Sequence, residues 1–153
     1  MQNLVIRKAL PGDLDTLLRF EQGVIHAERP FDQTLRNGTI SYYDLPEMLT
    51  DPDVEVVVAE LGKEIIASGY ARIQKSKPYL RHSTYAYLGF MFVVEEHRGK
   101  GVNNLILDAL KKWTSSKGIT EMRLEVYDDN IAAVKAYEKA GFKKHMIEMR
   151  MDI

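Results

Sequence analysis

The chain has no cysteine among its 153 residues. That absence excludes disulfides, thiolate metal sites and a cysteine nucleophile together. An excess of positive charge is also missing. The formal net charge is −1, whereas a nucleic-acid binder would normally be strongly basic. No apolar run approaches the roughly 20 residues that span a bilayer. The opening stretch, Met1–Lys8, is too short before its first charges to read as a signal peptide. These features give the expectation of a cytoplasmic protein with neither nucleic-acid nor membrane partners. Four histidines (His26, His82, His97, His145) lack metal-ligand spacing, so no metal is expected. Repeats, low-complexity tracts and linkers do not occur, and the length suits one domain over residues 1–153.

What is present is a mixed pattern of strands and helices. Leu4-Val5-Ile6 begins a strand, and Pro11-Gly12-Asp13 breaks it, with Asp13 able to cap a helix. Leu14, Leu17, Leu18, Val24 and Ile25 share one helical face. Residues 31–50 are the least regular, with a short helix expected near Tyr43–Leu49. The alternating run from Val54, the Leu61-Gly62-Lys63 turn and the run Ile65–Ile73 read as a hairpin. Tyr85–Val94, rich in aromatic and β-branched residues, predicts a central strand.

Val102, Leu105, Ile106, Ala109, Leu110 and Trp113 follow the i, i+3, i+4 rule of an amphipathic helix, which Lys117-Gly118 ends. A strand at Glu121–Tyr127, a helix from Asn130 to Gly141 and a closing strand at Phe142–Met151 complete the order β-α-(α)-β-β-β-α-β-α-β. The fold class expected is α+β (mixed α/β), a twisted mixed sheet of six to seven strands with helices on both faces.

Two motifs carry chemistry. The first is Val93-x-x-x-x-Arg98-Gly99-Lys100-Gly101-Val102-Asn103, between the central strand and the clearest helix. Glycines turn backbone N–H groups toward one point, and the helix start adds unpaired N–H groups and a favourable dipole, a natural anion site. An NTPase phosphate loop is excluded, because Gly99-Lys100 is followed by Gly101 rather than Ser or Thr. The second motif is Asn130-x-x-Ala133-x-x-x-Tyr137-x-x-x-Gly141-Phe142. Together, about thirty residues apart on the expected elements, they resemble the GNAT superfamily of acyl-CoA N-acyltransferases over essentially the whole chain.

The resemblance implies acetyl-CoA as co-substrate, with no metal. Its pyrophosphate would rest on Arg98, Gly99, Lys100, Gly101, Val102 and Asn103. Its pantetheine arm would pair with the backbone of Met91, Phe92 and Val93. Asn130, Ala133 and Tyr137 would face it from the last helix, with Asn130 equally readable as a helix cap. Asn103 departs from the Gly or Ala usual at its position, adding bulk and an amide.

Tyr137 is the catalytic residue implied. The coenzyme thiol has a pKa near that of cysteine, about 8.5, so a phenol of pKa about 10 can protonate the departing thiolate. The strand Tyr85–Phe92 lacks the glutamate many family members use as base, leaving a water chain, Glu21 or Glu125. The acceptor implied is a primary amine of a small molecule, attacking directly in a ternary complex. A peptide amine, or a non-catalytic acyl-CoA sensor, are the alternatives. Residues 20–50 and 74–84, where the acceptor should bind, hold both acids (Glu21, Glu28, Asp32, Asp44, Glu47) and bases (Arg29, Arg36, Lys75, Lys77, Arg81, His82), so composition does not decide. A homodimer through a sheet edge or the terminal strand is a further expectation, on the apolar alternation of Phe142–Met151.

Overall fold

The structure is a computed structural model that describes residues 3–153; the part of the signal-peptide reading that concerns Met1 and Gln2 lies outside the described residues. Strand β1 (Leu4–Lys8) leads through a 3-10 turn at Pro11–Asp13 into α1 (Leu14–Glu28). A second 3-10 turn (Arg29–Phe31) and an irregular stretch precede α2 (Leu45–Met48). Then follow β2 (Val54–Leu61), β3 (Glu64–Lys75), β4 (Thr84–Val93), α3 (Val102–Ser116), β5 (Met122–Leu124) and α4 (Ile131–Lys139). The sheet order is β1-β2-β3-β4-β5, antiparallel except for the parallel β4–β5 pair. Among the described residues no helix is long and apolar enough to cross a membrane.

Both faces of the sheet are covered, which is why β2 carries apolar residues at successive positions. Val57 and Ala59 point to a core with Ile106 and Leu110 of α3. Val56 and Val58 point to the opposite core, with Leu17, Phe20 and Val24 of α1 and Leu45 and Met48 of α2. Each fully buried side chain of this size contributes about 1.5–3 kcal/mol, so the two amphipathic helices are held mainly by the sheet. Arg7 braces the entry to α1. Its guanidinium grips both oxygens of Asp13 at 2.8 and 3.0 Å and Glu60 at 3.0 Å. Asp13 thus spends its carboxylate on Arg7 and the Leu10 N–H, not as the side-chain cap of α1.

The mixed α+β class is as expected, but the sheet has five strands rather than six or seven. Two expectations are corrected. The Glu121–Tyr127 strand is paired only over Met122–Leu124, and Phe142–Met151 forms no strand. Alternating side chains are a local property, whereas a strand exists only where a neighbour supplies its ladder. Neither segment has such a neighbour along its full length.

One irregularity positions the site. Tyr70 pairs with Gly89, but Ser68 pairs with Phe92, so Phe90 and Met91 together oppose Gly69. This is a β-bulge. Phe90 sits at φ 57°, an uncommon conformation for so bulky a side chain, and the Ser68 hydroxyl donates to its carbonyl at 3.0 Å. A Cβ on Gly69 would lie 2.7 Å from Met91 Sδ and 2.6 Å from Ile106 Cγ2, so only glycine leaves room for Met91 there. The β4–β5 pairing ends at Leu88–Leu124, where β5 itself ends, so β4 runs on to Val93 without a partner on that side.

Candidate functional site

Beside the end of β4 that β5 does not pair with lies a pocket of about 200 Å³ lined by Met91, Val93, Arg98, Asn103, Ala133, Ala136 and Tyr137. Six of these are residues the family resemblance nominated, drawn from β4, the loop, α3 and α4. Ala136 was missed, although Ala133, Ala136 and Tyr137 are related by i, i+3, i+4 and so share a helix face. A larger open groove of about 550 Å³, near Asp13, Arg19, Glu60 and Lys63, contains none of the nominated residues.

The loop before α3 has the local geometry of an anion cradle. Gly99 and Gly101 adopt φ of 74° and 81°, a region open to glycine at little cost. Gly101 is the N-cap of α3, and no side chain caps the helix. The first-turn N–H groups therefore remain available for a ligand. Arg98 Nε donates to the Val93 carbonyl at 2.8 Å, and its guanidinium lies 5.7 Å from the centre of the Phe92 ring. Phe92 itself packs away from the pocket, 4.7 Å from Phe20. Val102 is buried in the core, and Lys100 is exposed.

Asn103 Oδ1 is buried and has no hydrogen-bond partner. An amide end left unpaired beside a pocket fits a polar ligand group, and the amide can equally be turned to present its N–H₂. These features fit a long ligand with an anionic diphosphate. Asn130 caps α4, its Oδ1 accepting from the Ala133 N–H at 3.3 Å. Tyr137 is half-buried and packs edge-on against Phe142 at 5.9 Å. Burial raises its phenol pKa, and the charge of Glu28 raises it further.

On the α1 side lies a second group of polar residues, most of them not foreseen as a unit. Burial holds the Glu28 carboxyl above its usual range, against a pull from Tyr42 and with a push from Asp32. Tyr42 faces Glu28 and is driven up by burial first and that carboxylate second, yet its Oη completes no hydrogen bond of normal geometry. The Tyr127 phenol donates to Asp32 Oδ2 at 3.0 Å and stacks on Phe31 at 6.2 Å. Burial and Asp32 push Tyr127 up to about 12. The Thr34 hydroxyl and N–H, then Tyr127 and Arg150, hold Asp32 down to about 2 against its partial desolvation.

The hydrogen bonds sort the mixed charges of this region. Arg29 is spent on the carbonyls of Arg36 and Gly38 at 2.9 and 2.7 Å. Glu47 lies by Arg72, Asp44 caps α2, and His82 lies 3.3 Å from Glu121. Glu21, one of the carboxylates put forward as base, is 2% exposed. It accepts from the Tyr42 and Tyr43 N–H groups at 2.9 and 2.7 Å and from Ser41 Oγ, so it pins the loop. Glu125, the other, accepts from the Tyr87 hydroxyl at 2.8 Å. Among the described residues, Glu28 has no cation in ion-pair range.

Comparison with known proteins gives a consistent picture. Residues 19–142 match the model of the acetyltransferase (GNAT) family. Over 58 residues the chain is 41% identical to N-acetyltransferase YobR of Bacillus subtilis, itself uncharacterised, covering 38% of this chain and 24% of YobR. It therefore spans about a quarter of that relative's length. Thialysine N-epsilon-acetyltransferase of Sus scrofa is 27% identical over 146 residues, 92% of this chain and 85% of that one. A mutant form of the BH1408 protein of Bacillus halodurans superposes with a TM-score of 0.88 at 19% identity, over 97% of this chain and 99% of that one. A predicted acetyltransferase of Clostridium acetobutylicum, solved with acetyl-CoA, superposes with a TM-score of 0.73 at 19% identity, over 97% and 96% of the two chains. At these identities the structural likeness speaks for the fold.

Proposed function

The chain belongs to the acetyltransferase (GNAT) family, and from that premise we propose that it moves an acetyl group from acetyl-CoA to the primary amine of a small cationic molecule. The observation that carries the reading is the pocket beside the unpaired end of β4, where Met91, Val93, Arg98, Asn103, Ala133 and Tyr137 converge. In this reading the N–H groups from Gly99 to Asn103, with Arg98 and Lys100, hold the diphosphate of the coenzyme. The unpaired edge of β4 holds its pantetheine arm. The bound coenzyme supplies an activated acyl thioester.

The protein's own groups then handle protons. Tyr137 stays a neutral phenol, since burial and Glu28 both raise its pKa, and a neutral phenol can give its proton to the departing sulfur. The acceptor arrives as an ammonium of pKa about 10.4 and must lose a proton before it can attack. Glu28 is the carboxylate that suits this task. It has no cationic partner among the described residues, its pKa is raised, and its charge is felt at Tyr137. A raised carboxyl is a better match for proton abstraction near neutrality than an ordinary one.

A cationic acceptor follows from the same groups. Glu28 and Asp32 stand beside the rings of Tyr42 and Tyr127, while Arg29 is committed to loop carbonyls. A half-buried carboxylate such as Glu28, 4 Å from an ammonium, is worth about 4 kcal/mol at an effective dielectric of about 20. An aromatic face adds about 0.5–2 kcal/mol, so the carboxylate dominates. The name of the thialysine acetyltransferase, whose product is an acetylated side-chain amine, is in keeping with such an acceptor.

The test is thiol release from acetyl-CoA with a thiol reagent, screened over diamines, basic amino acids and aminoglycosides. The cysteine-free chain adds no background. Turnover with one of these cations is expected. Tight coenzyme binding with no turnover across the screen would turn the reading toward a sensor, and turnover with peptides alone toward a protein acceptor.

A further inference from the structure

Past α4 the chain runs on as residues 143–153, outside every helix and strand. Phe142 roots this segment. Its N–H donates to the Tyr137 carbonyl at 3.0 Å, and its ring packs on the Tyr137 ring. Among the described residues, the main chain after Phe142 makes no hydrogen bond with other main chain. Residues 143–149 are exposed throughout. The segment is next held at Arg150, whose guanidinium donates to Thr34 Oγ1 at 3.2 Å and to Asp32 Oδ1 at 3.5 Å. It is a chain tied at two points. One tie lies beside the coenzyme pocket and the other lies on the acid next to Tyr127.

The tie at Arg150 is the weaker one. Asp32 Oδ2 accepts from the Tyr127 phenol at 3.0 Å, and Oδ1 accepts from the Thr34 N–H at 2.9 Å and from the Thr34 hydroxyl. A carboxylate offers about four acceptor positions. Three are filled by donors that are local or carried on a packed ring, and Arg150 takes the fourth with the longest contact of the set. Its side chain is 58% exposed, over an acid that is 12% exposed. An exposed pair of that kind is worth little and is screened by salt. With the main chain unpaired over residues 143–149, lifting the segment breaks few contacts, so it opens at low cost. What Arg150 supplies is charge. Among the described residues it is the one cation in ion-pair range of Asp32.

On the reading of a cationic acceptor given above, we propose that residues 143–153 form a strap whose Arg150 sits on Asp32 in the acceptor's place, and that the acceptor's ammonium lifts it on binding. The two cations contend for the fourth position of one carboxylate. A compact ammonium can come to about 2.8 Å, closer than the 3.5 Å of the guanidinium. The Tyr127 ring, bonded to Asp32 and stacked on Phe31, stays in place to receive it. The exposed Arg150 exchanges its contact for water. The strap is also a filter, since a neutral or anionic molecule has no charge with which to displace it.

Calorimetry on the full chain, without coenzyme and at fixed ionic strength, reads the competition. The probes are 1,4-diaminobutane, as an acceptor-like cation, and methylguanidinium, which stands in for Arg150. Arg150→Gln should tighten the Kd of both about 1.5- to 5-fold, the range of an exposed ion pair, with its circular dichroism retained. Arg150→Lys keeps the charge and should keep the wild-type Kd. A merely structural Arg150 would move neither. A fluorophore on Met151→Cys, the sole thiol in an otherwise cysteine-free chain, follows the strap itself. Its anisotropy should fall when methylguanidinium is added. Arg150→Gln should give the low value without the cation and show no further fall.

Equal cation affinity in wild type and Arg150→Gln overturns the proposal. So does an anisotropy that ignores methylguanidinium, or a chain that binds neither cation in either form. None of these readouts needs acetyl transfer or coenzyme. A strap that lifts on a chain without turnover would sink the catalytic reading and keep this one. Turnover of cationic amines with a KM that Arg150→Gln leaves unmoved would do the reverse.

Discussion

At the end of β4, the pocket is lined by Met91, Val93, Arg98, Asn103 and Tyr137 with two alanines of α4, next to a loop turned by Gly99 and Gly101. Where the end of α1 and the stretch after it meet Tyr127, the surface is made of phenols and carboxylates, with Tyr127 donating to Asp32 and Tyr42 facing Glu28. In the proposed reading the first region recognises by shape and by N–H groups that the fold leaves unpaired, and the second by charge, sorted only in three dimensions. Arg29 drops out by bonding Arg36 and Gly38 carbonyls, Glu21 by bonding the Tyr42 and Tyr43 amides. A cleft so divided can keep one co-substrate fixed while its second substrate is set by a handful of side chains. Tyr137 sits at the seam, on the small-residue face of α4 yet within the field of Glu28.

The sharpest way to test that division is at the seam. Tyr137→Phe should lower kcat about 10²–10⁴-fold and leave the Kd for acetyl-CoA within about twofold, as measured by steady-state kinetics and calorimetry. Glu28→Gln should lower kcat/KM for the amine by about 100-fold with the coenzyme Kd unchanged. Its pH profile carries the sign. A base works deprotonated, so wild-type activity rises as pH rises through the raised Glu28 pKa, and the variant should lose that rise. If Glu28→Gln weakens coenzyme binding instead, the two regions are not separate.

Gly101→Ala probes the other side. A Cβ there meets nothing within 4 Å, so the cost is conformational, about 1–2 kcal/mol for a non-glycine residue at positive φ. The Kd for acetyl-CoA should rise about tenfold, the equivalent of about 1.4 kcal/mol, while the KM for the amine stays put. The smallest effect is at Asp32. Its depressed carboxyl contributes stability above the ordinary value of 3.8 and loses it as pH falls through about 2. The Tm gap between wild type and Asp32→Asn should therefore be present at neutral pH and close over that interval.

The same division governs what could be read from the chain before folding. The glycine spacing, the apolar stripe of α3 and the Ala133–Tyr137 face are local patterns, and local patterns fix the helix, its cap and the residues facing the pocket. The region proposed for the acceptor draws Glu28 from the end of α1, Asp32 from just beyond it, Tyr42 from the irregular stretch, and Glu125 and Tyr127 from after β5. Nothing in their spacing joins them, because the sheet does. The bulge at Phe90 had no signature either. It follows from Gly69 on the neighbouring strand yielding space to Met91. The segment Phe142–Met151 reads as a strand by its alternation, but alternation carries no information about whether a neighbour supplies the ladder.

Beyond Leu88, β4 has no partner on the β5 side, and the folded state is unfinished along that line. A molecule that fills the gap binds the native chain and not the unfolded one, so by mass action its concentration becomes part of the folding equilibrium. At about a hundred times its dissociation constant it adds about 2.7 kcal/mol, a large fraction of the reserve of a small protein. If that molecule is the proposed coenzyme, how long each copy escapes proteolysis follows the supply of the thioester, and the lifetime of the protein answers to its own feedstock.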